Sequence, residues 1–146
     1  PPLLLLLSLL LSLSSALKIL VYNPKHAYSH VNYIGRVADM LVEEGHSVTS
    51  LMPDIVPHMK NGTAKSEIVI VPPPKSVLED YKFITDGKFD FFTTNLDNPL
   101  LVIYAGAVFA RVFRAQCAAT LDSGVVERLR KERFDVYLVE TDDPCG

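Results

Sequence analysis

The sequence has no tryptophan, only two cysteines and no run of like charge. Cys117 and Cys145 are too few for a disulfide scaffold and have no metal-ligand spacing. They read as buried free thiols, with a pair in an oxidising lumen left open, because spacing alone does not bring two thiols together. The formal net charge of −3 is scattered along the chain, so there is no electrostatic footprint for nucleic acid. The glycines never fall into Gly-x-Gly-x-x-Gly, which argues against a dinucleotide site. A Gly-x-Ser-x-Gly elbow and a His-Glu-x-x-His zinc helix are also missing. No metal and no cofactor is therefore expected, and no internal repeat is present.

The 146 residues fit one domain, and 49% apolar content is enough for a full core. Part of that figure comes from residues 1–16, which are almost wholly Leu and Ser. The run from Leu3 to Leu11 is too short to span a bilayer comfortably. It has the length of a signal-peptide core, and Ser14-Ser15-Ala16 supplies small residues for cleavage. The basic start and initiator Met are missing, so the chain is expected to be cut at its front. Residues 1–16 are read as a partial leader and residues 17–146 as the domain, with an anchoring or core helix as the alternative for the leader. Asn61-Gly62-Thr63 is a glycosylation acceptor on a polar stretch, in keeping with a luminal address.

Lys18 to Tyr22 is a run of β-formers closed by Asn23-Pro24, hence a buried strand. Ser29 is a good N-cap for a helix beginning at His30. Val31, Ile34, Val37, Ala38, Leu41 and Val42 follow at helical spacing, and Gly45 ends the run. His46 to Met52 reads as a second strand and Glu67 to Val71 as a third, with an irregular polar connection between them. Lys75 to Asn98 resists assignment. Its Tyr81, Phe83, Phe89, Phe91 and Phe92 either complete a core or line a pocket for an apolar ligand. Asn98-Pro99 starts a helix whose first half, apolar all round up to Arg111, is expected to be buried. A further helix from Asp122 or Ser123 turns Val125, Val126 and Leu129 inward and Arg128, Arg130, Lys131 and Glu132 outward. Phe134 to Val139 is the fourth strand.

Strand, helix, strand is a βαβ unit with a right-handed crossover, so the expected fold is α/β, a Rossmann-like parallel sheet with helices on both faces. In strand order 3-2-1-4 the first and fourth strands meet where the winding reverses. That places His30, after strand one, and Glu140, after strand four, in one crevice. At a helix's first turn the positive dipole end disfavours an imidazolium, which suits a proton acceptor. A carboxylate on the other ring nitrogen would fix the tautomer and stabilise the charge formed in a reaction. His30 is thus a candidate general base acting on a hydroxyl, with Glu140 its partner and Asp142 and Asp143 as competitors for that place. His26 could sit near the same site, while His46 and His58 look like surface or strand-end residues.

The blocks Lys18-Ile19-Leu20-Val21-Tyr22, Tyr28-Ser29-His30-Val31-Asn32, Gly35-Arg36-Val37-Ala38-Asp39 and Leu41 to Thr49 resemble the amino-terminal domain of UDP-glucuronosyltransferases. Phe134-Asp135-Val136, then Glu140 and Pro144-Cys145-Gly146, resemble that family's next landmark. The nematode members of this UDP-glycosyltransferase family are the nearest in character. The resemblance implies a GT-B architecture, of which this would be the acceptor-binding half, incomplete at its carboxyl end. It implies that His30 is the catalytic base, and that Glu140 stands where the family commonly has an aspartate, one methylene shorter. The reaction implied is inverting transfer of a glucuronosyl or glucosyl group from a UDP-sugar to a hydroxyl of a small lipophilic acceptor, as in detoxification. The stretch from Tyr81 to Phe92 would lie near the acceptor. The UDP-sugar site and a membrane anchor would lie beyond Gly146, in a glycoprotein of the endoplasmic reticulum lumen that could form homo-oligomers. This chain alone is expected to be inactive. The alternative is a stand-alone secreted module that holds a small apolar ligand without turning it over.

Overall fold

A computed structural model describes residues 16–83, 97–141, 143 and 145–146. The elements in chain order are β1 (Lys18–Tyr22), α1 (Tyr28–Glu43), β2 (Ser47–Pro53), β3 (Glu67–Val71), α2 (Lys75–Phe83), α3 (Pro99–Asp122), α4 (Val125–Lys131) and β4 (Val136–Val139). The strands form one parallel sheet in order β3-β2-β1-β4. Tyr22 is in register with Leu51 on one side and Val139 on the other, so β1 is an interior strand flanked by β2 and β4. The expected α/β class and strand order are those observed.

Alternation along β1 divides the core. Ile19 and Val21 face α1, packing with Ile34, Ala38 and Val48, while Tyr22 joins Leu51, Val71, Leu129 and Phe134 on the opposite face. Helix α1 buries Val31, Ile34, Gly35 and Ala38, a stripe repeating at helical spacing. It stops in a Schellman motif: Gly45 N–H donates to Val42 O at 3.0 Å and His46 N–H to Leu41 O at 3.1 Å, with Gly45 at φ 90°. His46 then caps the sheet's other edge, accepting from Leu17 N–H at Nδ1 over 3.3 Å.

The β2–β3 connection crosses without a helix. It lies along α1 instead, backbone against backbone. A Cβ on Gly62 would sit 2.3 Å from Val31 O, and one on Gly35 would sit 2.3 Å from Gly62 C. Asp39 fastens the far end of the loop, accepting from Thr63 Oγ1, from Ala64 N–H at 3.0 Å and from Lys65 N–H at 2.9 Å. Burial works to raise the Asp39 carboxyl, but these hydrogen bonds prevail and hold it below the usual carboxylate value.

Four expectations are corrected. Helix α1 begins at Tyr28, two positions early; its N-cap is Ala27, which offers no side-chain bond, so Ser29 caps nothing. The entering loop is fixed instead by its backbone: Lys25 N–H donates to Pro53 O at 2.8 Å and Val56 N–H to Lys25 O at 2.9 Å. A buried Lys25–Asp54 ion pair of 3.0 Å closes the same turn. The first half of α3 is not buried. Leu100 is 76% and Ile103 68% exposed, and only a narrow stripe of Ala105, Val108, Val112, Gln116 and Thr120 is covered. The thiols of Cys117 and Cys145 are not free but form a disulfide, with Cα atoms 5.5 Å apart. Strand β4 starts at Val136, shorter than the apolar run that marked it, with Phe134 buried in the core ahead of it.

Asn98 caps α3 as its sequence requires, accepting from Leu100 N–H at 3.1 Å with Pro99 in the first turn. Part of the unassigned stretch is α2, which packs Val77 and the half-buried Tyr81 against Ile55, Val108 and Val112. The Arg111 guanidinium ties α3 to α2 through Asp80 at 3.0 Å. Residues 1–15, Phe89, Phe91, Phe92 and Asp142 lie outside the described residues.

Candidate active site

The loop from Asn23 to Ala27 leaves β1 at the carboxyl edge of the sheet and delivers His30 in the first turn of α1. Asn23, buried in this loop, donates from Nδ2 to Val31 O at 3.2 Å, which fastens the strand end to the helix start. On the neighbouring strand, Glu140 follows β4 directly. The two residues, 110 positions apart in sequence, meet: His30 Nδ1 lies 3.2 Å from Glu140 Oε2. Glu140 Oε1 accepts from Thr141 N–H at 3.1 Å, so both carboxylate oxygens are engaged. The His30 side chain is 36% exposed and that of Glu140 only 14%, leaving an accessible imidazole backed by a covered carboxylate.

Of the competitors for that carboxylate role, Asp142 lies outside the described residues and Asp143 is engaged elsewhere. Asp143 Oδ2 accepts from Tyr22 OH at 2.6 Å, and its Oδ1 accepts from Cys145 N–H at 2.9 Å. Burial first, then the Asp143 contact, push the Tyr22 phenol far above its ordinary value. His26 lies against the site, its ring centroid 5.0 Å from that of His30 and 5.5 Å, edge-on, from Phe113 of α3. Because a carbonyl only accepts, the His26 Nδ1–H donates to Pro24 O at 3.1 Å. Burial is the leading cause that lowers the His26 imidazole, and the His30 ring adds to it.

Of the aromatic candidates, Tyr81 sits at the margin of the α2–α3 cluster, where burial raises its phenol, and Phe83 closes α2. Asn61 is half-buried and lines a polar cleft of about 660 Å³ with Lys25, Asn32 and Asp54. Asn32 is 200° round α1 from His30 at 100° per residue, so this cleft is on the other side of the helix. Among the described residues, no group of three or more His, Cys, Asp and Glu side chains converges as a metal site would require. Sequence reasoning missed Phe113, whose place one residue after the buried Val112 puts it at the rim of the α3 stripe. It also missed the Tyr22–Asp143 bond, for which strand-end position was the only signal.

The arrangement is an imidazole with Nδ1 facing a carboxylate, at the edge where parallel sheets bind ligands. Comparison with known proteins identifies the family. The family described as UDP-glucoronosyl and UDP-glucosyl transferase matches residues 17–146. A Caenorhabditis elegans protein provisionally named as UDP-glucuronosyltransferase ugt-47 is 31% identical over 141 residues, covering 90% of this chain and 25% of its own length. The Caenorhabditis briggsae protein of that name is 28% identical with the same coverage, and C. elegans ugt-48 is 27% identical over 88% of this chain and 25% of its own. No solved structure matches. The chain spans about a quarter of the length of these relatives. With the family match running through both strand ends that carry His30 and Glu140, the chain belongs to the UDP-glucuronosyl and UDP-glucosyl transferase family.

Proposed function

We propose that this chain is the acceptor-binding part of a UDP-sugar-dependent glycosyltransferase in which His30 is the general base. The observation that carries this is the 3.2 Å contact between His30 Nδ1 and Glu140 Oε2 at the carboxyl edge of β1 and β4. With Nδ1–H held by the carboxylate, Nε2 takes the proton of an acceptor hydroxyl. The oxygen attacks the anomeric carbon of a UDP-sugar, glucuronosyl or glucosyl, and UDP leaves with inversion. Glu140 stabilises the imidazolium that forms. The acceptor is small and lipophilic, bound beside His26 and Phe113. Because the chain spans about a quarter of its relatives' length, transfer from a UDP-sugar is expected to need the rest of that length.

The test is made on the longer protein that carries this chain together with a donor-binding domain, using phenolic acceptors and several UDP-sugars. His30→Ala is expected to lower the transfer rate by about 10²–10⁴-fold, the usual worth of a positioned base, and Glu140→Gln by less. An unchanged rate for His30→Ala overturns the reading. Acceptor binding retained without any transfer leaves a ligand-holding module instead.

The same proposal puts the protein in the lumen of the endoplasmic reticulum, with Asn61 as its glycan acceptor. In the fold the Thr63 hydroxyl is held by Asp39 and lies 2.9 Å from Ser66 Oγ, so the sugar is added before this loop packs. Expression in a eukaryotic secretory host should give a product whose gel mobility changes on treatment with peptide N-glycosidase. Asn61→Gln should abolish that change.

A further inference from the structure

We propose that the polar cleft between α1 and the β2–β3 connection is a saccharide seat, and that its occupant is the first N-acetylglucosamine of the glycan on Asn61. This rests on the reading of Asn61 as a glycan acceptor and adds where that glycan lies.

The cleft, about 660 Å³, falls within the ~300–1,000 Å³ of small-ligand sites. Its charges balance, with Lys25 and Lys60 against Asp39 and Asp54. Asp39 is already engaged by Thr63 and by the N–H groups of Ala64 and Lys65. Lys25 and Asp54 pair with each other at 3.0 Å. A lining of this kind favours neither an anion nor a cation and suits a neutral polar molecule.

Donors and acceptors for such a molecule are present. Lys25 is 3% exposed, and an ammonium has three donors, of which the Asp54 contact takes one. Asn32 Nδ2 donates to Tyr28 O at 2.8 Å, which leaves its amide oxygen as an acceptor. The rest of the wall is apolar: Pro57, Met59 and Ile70, the last 46% exposed on β3. A pyranose has the same two-sidedness, a rim of hydroxyls and a face of C–H groups. The polar side chains take the rim, and Met59 and Ile70 cover the face.

The occupant is chosen by a tether. Asn61 is half-buried and part of the lining, so a sugar bonded to its amide starts inside the cleft. Among the described residues its side-chain amide makes no hydrogen bond that such a bond would break. The backbone at this point is fixed. Gly62, at φ 71°, is pressed against Val31 O, and Thr63 is held by Asp39. A ligand tethered to a fixed backbone binds at high effective concentration and has little ordering left to undergo. The cleft is on the far side of α1 from His30, so a seated glycan leaves the dyad uncovered.

The experiment takes the full chain secreted by a eukaryotic host, methyl-labelled at Met and Ile, with its glycan cut back by an endoglycosidase to one N-acetylglucosamine. Nuclear Overhauser contacts between sugar protons and the methyls of Met59 and Ile70 are expected. Amides from Lys60 to Ala64 should exchange with solvent several-fold more slowly than in Asn61→Gln, while those of β1 exchange alike in both. Ile70→Thr, which keeps a β-former at an exposed position, should retain the sugar and lose most of that protection. Absence of the sugar–methyl contacts with the sugar in place overturns the seat, and so does equal exchange in the sugar-bearing chain and in Asn61→Gln. Either result leaves Asn61 as an acceptor whose glycan stays in solvent. A product that peptide N-glycosidase does not alter removes the glycan and the seat together.

Discussion

His26 shows how one side chain ties the site to stability. Burial is the first cause holding its imidazole below the ordinary value of 6.5, with His30 adding to it and Pro24 O, Glu140 and Asp143 opposing. A folded value below the unfolded one means that the unfolded chain binds more protons in between. The contribution to stability is therefore complete above pH 6.5 and is lost as pH falls through the depressed value. His26→Phe, which keeps an aromatic ring against Phe113, should flatten that part of the profile. Urea midpoints at about pH 7.5 and pH 5.5 check it: the parent loses stability between them by more than the variant does. His30 and Glu140 were legible as a pair before any coordinates, because strand order alone brings the ends of β1 and β4 together. The partners of His26 and Asp143 were not, since each depends on the path of a loop that carries no periodic pattern.

At the level of single elements, the β2–β3 connection makes the strongest demand. Gly62 has φ 71°, and an added Cβ meets Val31 O at 2.3 Å, so strain and overlap coincide. Gly62→Ala is expected to cost roughly 3 kcal/mol, from a left-handed residue and an overpacked seam together. A thermal melt of the variant beside the parent reads this, and an unaltered Tm would remove the seam from the account. The sequence of this loop looked merely polar and irregular, which was correct but uninformative. Its order comes from close backbone approach and from Asp39, neither of which alters hydrophobic periodicity. By contrast β1 and β3 were readable to the residue, being short runs of β-formers with proline or an Asn-Pro pair at the exit. The start of α1 was misplaced because Ser29 is a good cap by type, while the actual turn is fixed by Lys25 and Asp54.

For the molecule as a whole, the surface carries the largest departure from expectation. The charge-free start of α3 was read as buried because it is apolar on every side, yet Leu100 and Ile103 face outward and Tyr104 and Val102 are exposed with them. A helix apolar all round is covered in most soluble folds, and here the described residues cover only one stripe of it. Leu100→Glu with Ile103→Glu should therefore leave the fold within about 0.5 kcal/mol, since neither side chain gives up packing. The same change breaks up an exposed apolar stretch at the start of α3, so sedimentation of the double variant should show less concentration-dependent association than the parent. The sheet order and the meeting of the β1 and β4 ends were derivable from pattern, whereas what covers a helix is decided by neighbours distant in sequence.

The Cys117–Cys145 bridge also bears on how the polypeptide breaks. A protease that nicks the exposed Ser123–Gly124 turn cuts between the two bonded positions. The resulting pieces stay covalently joined and run together on a non-reducing gel. They separate only when a reductant is added, so an apparently intact band says nothing about backbone continuity until it has been run both ways.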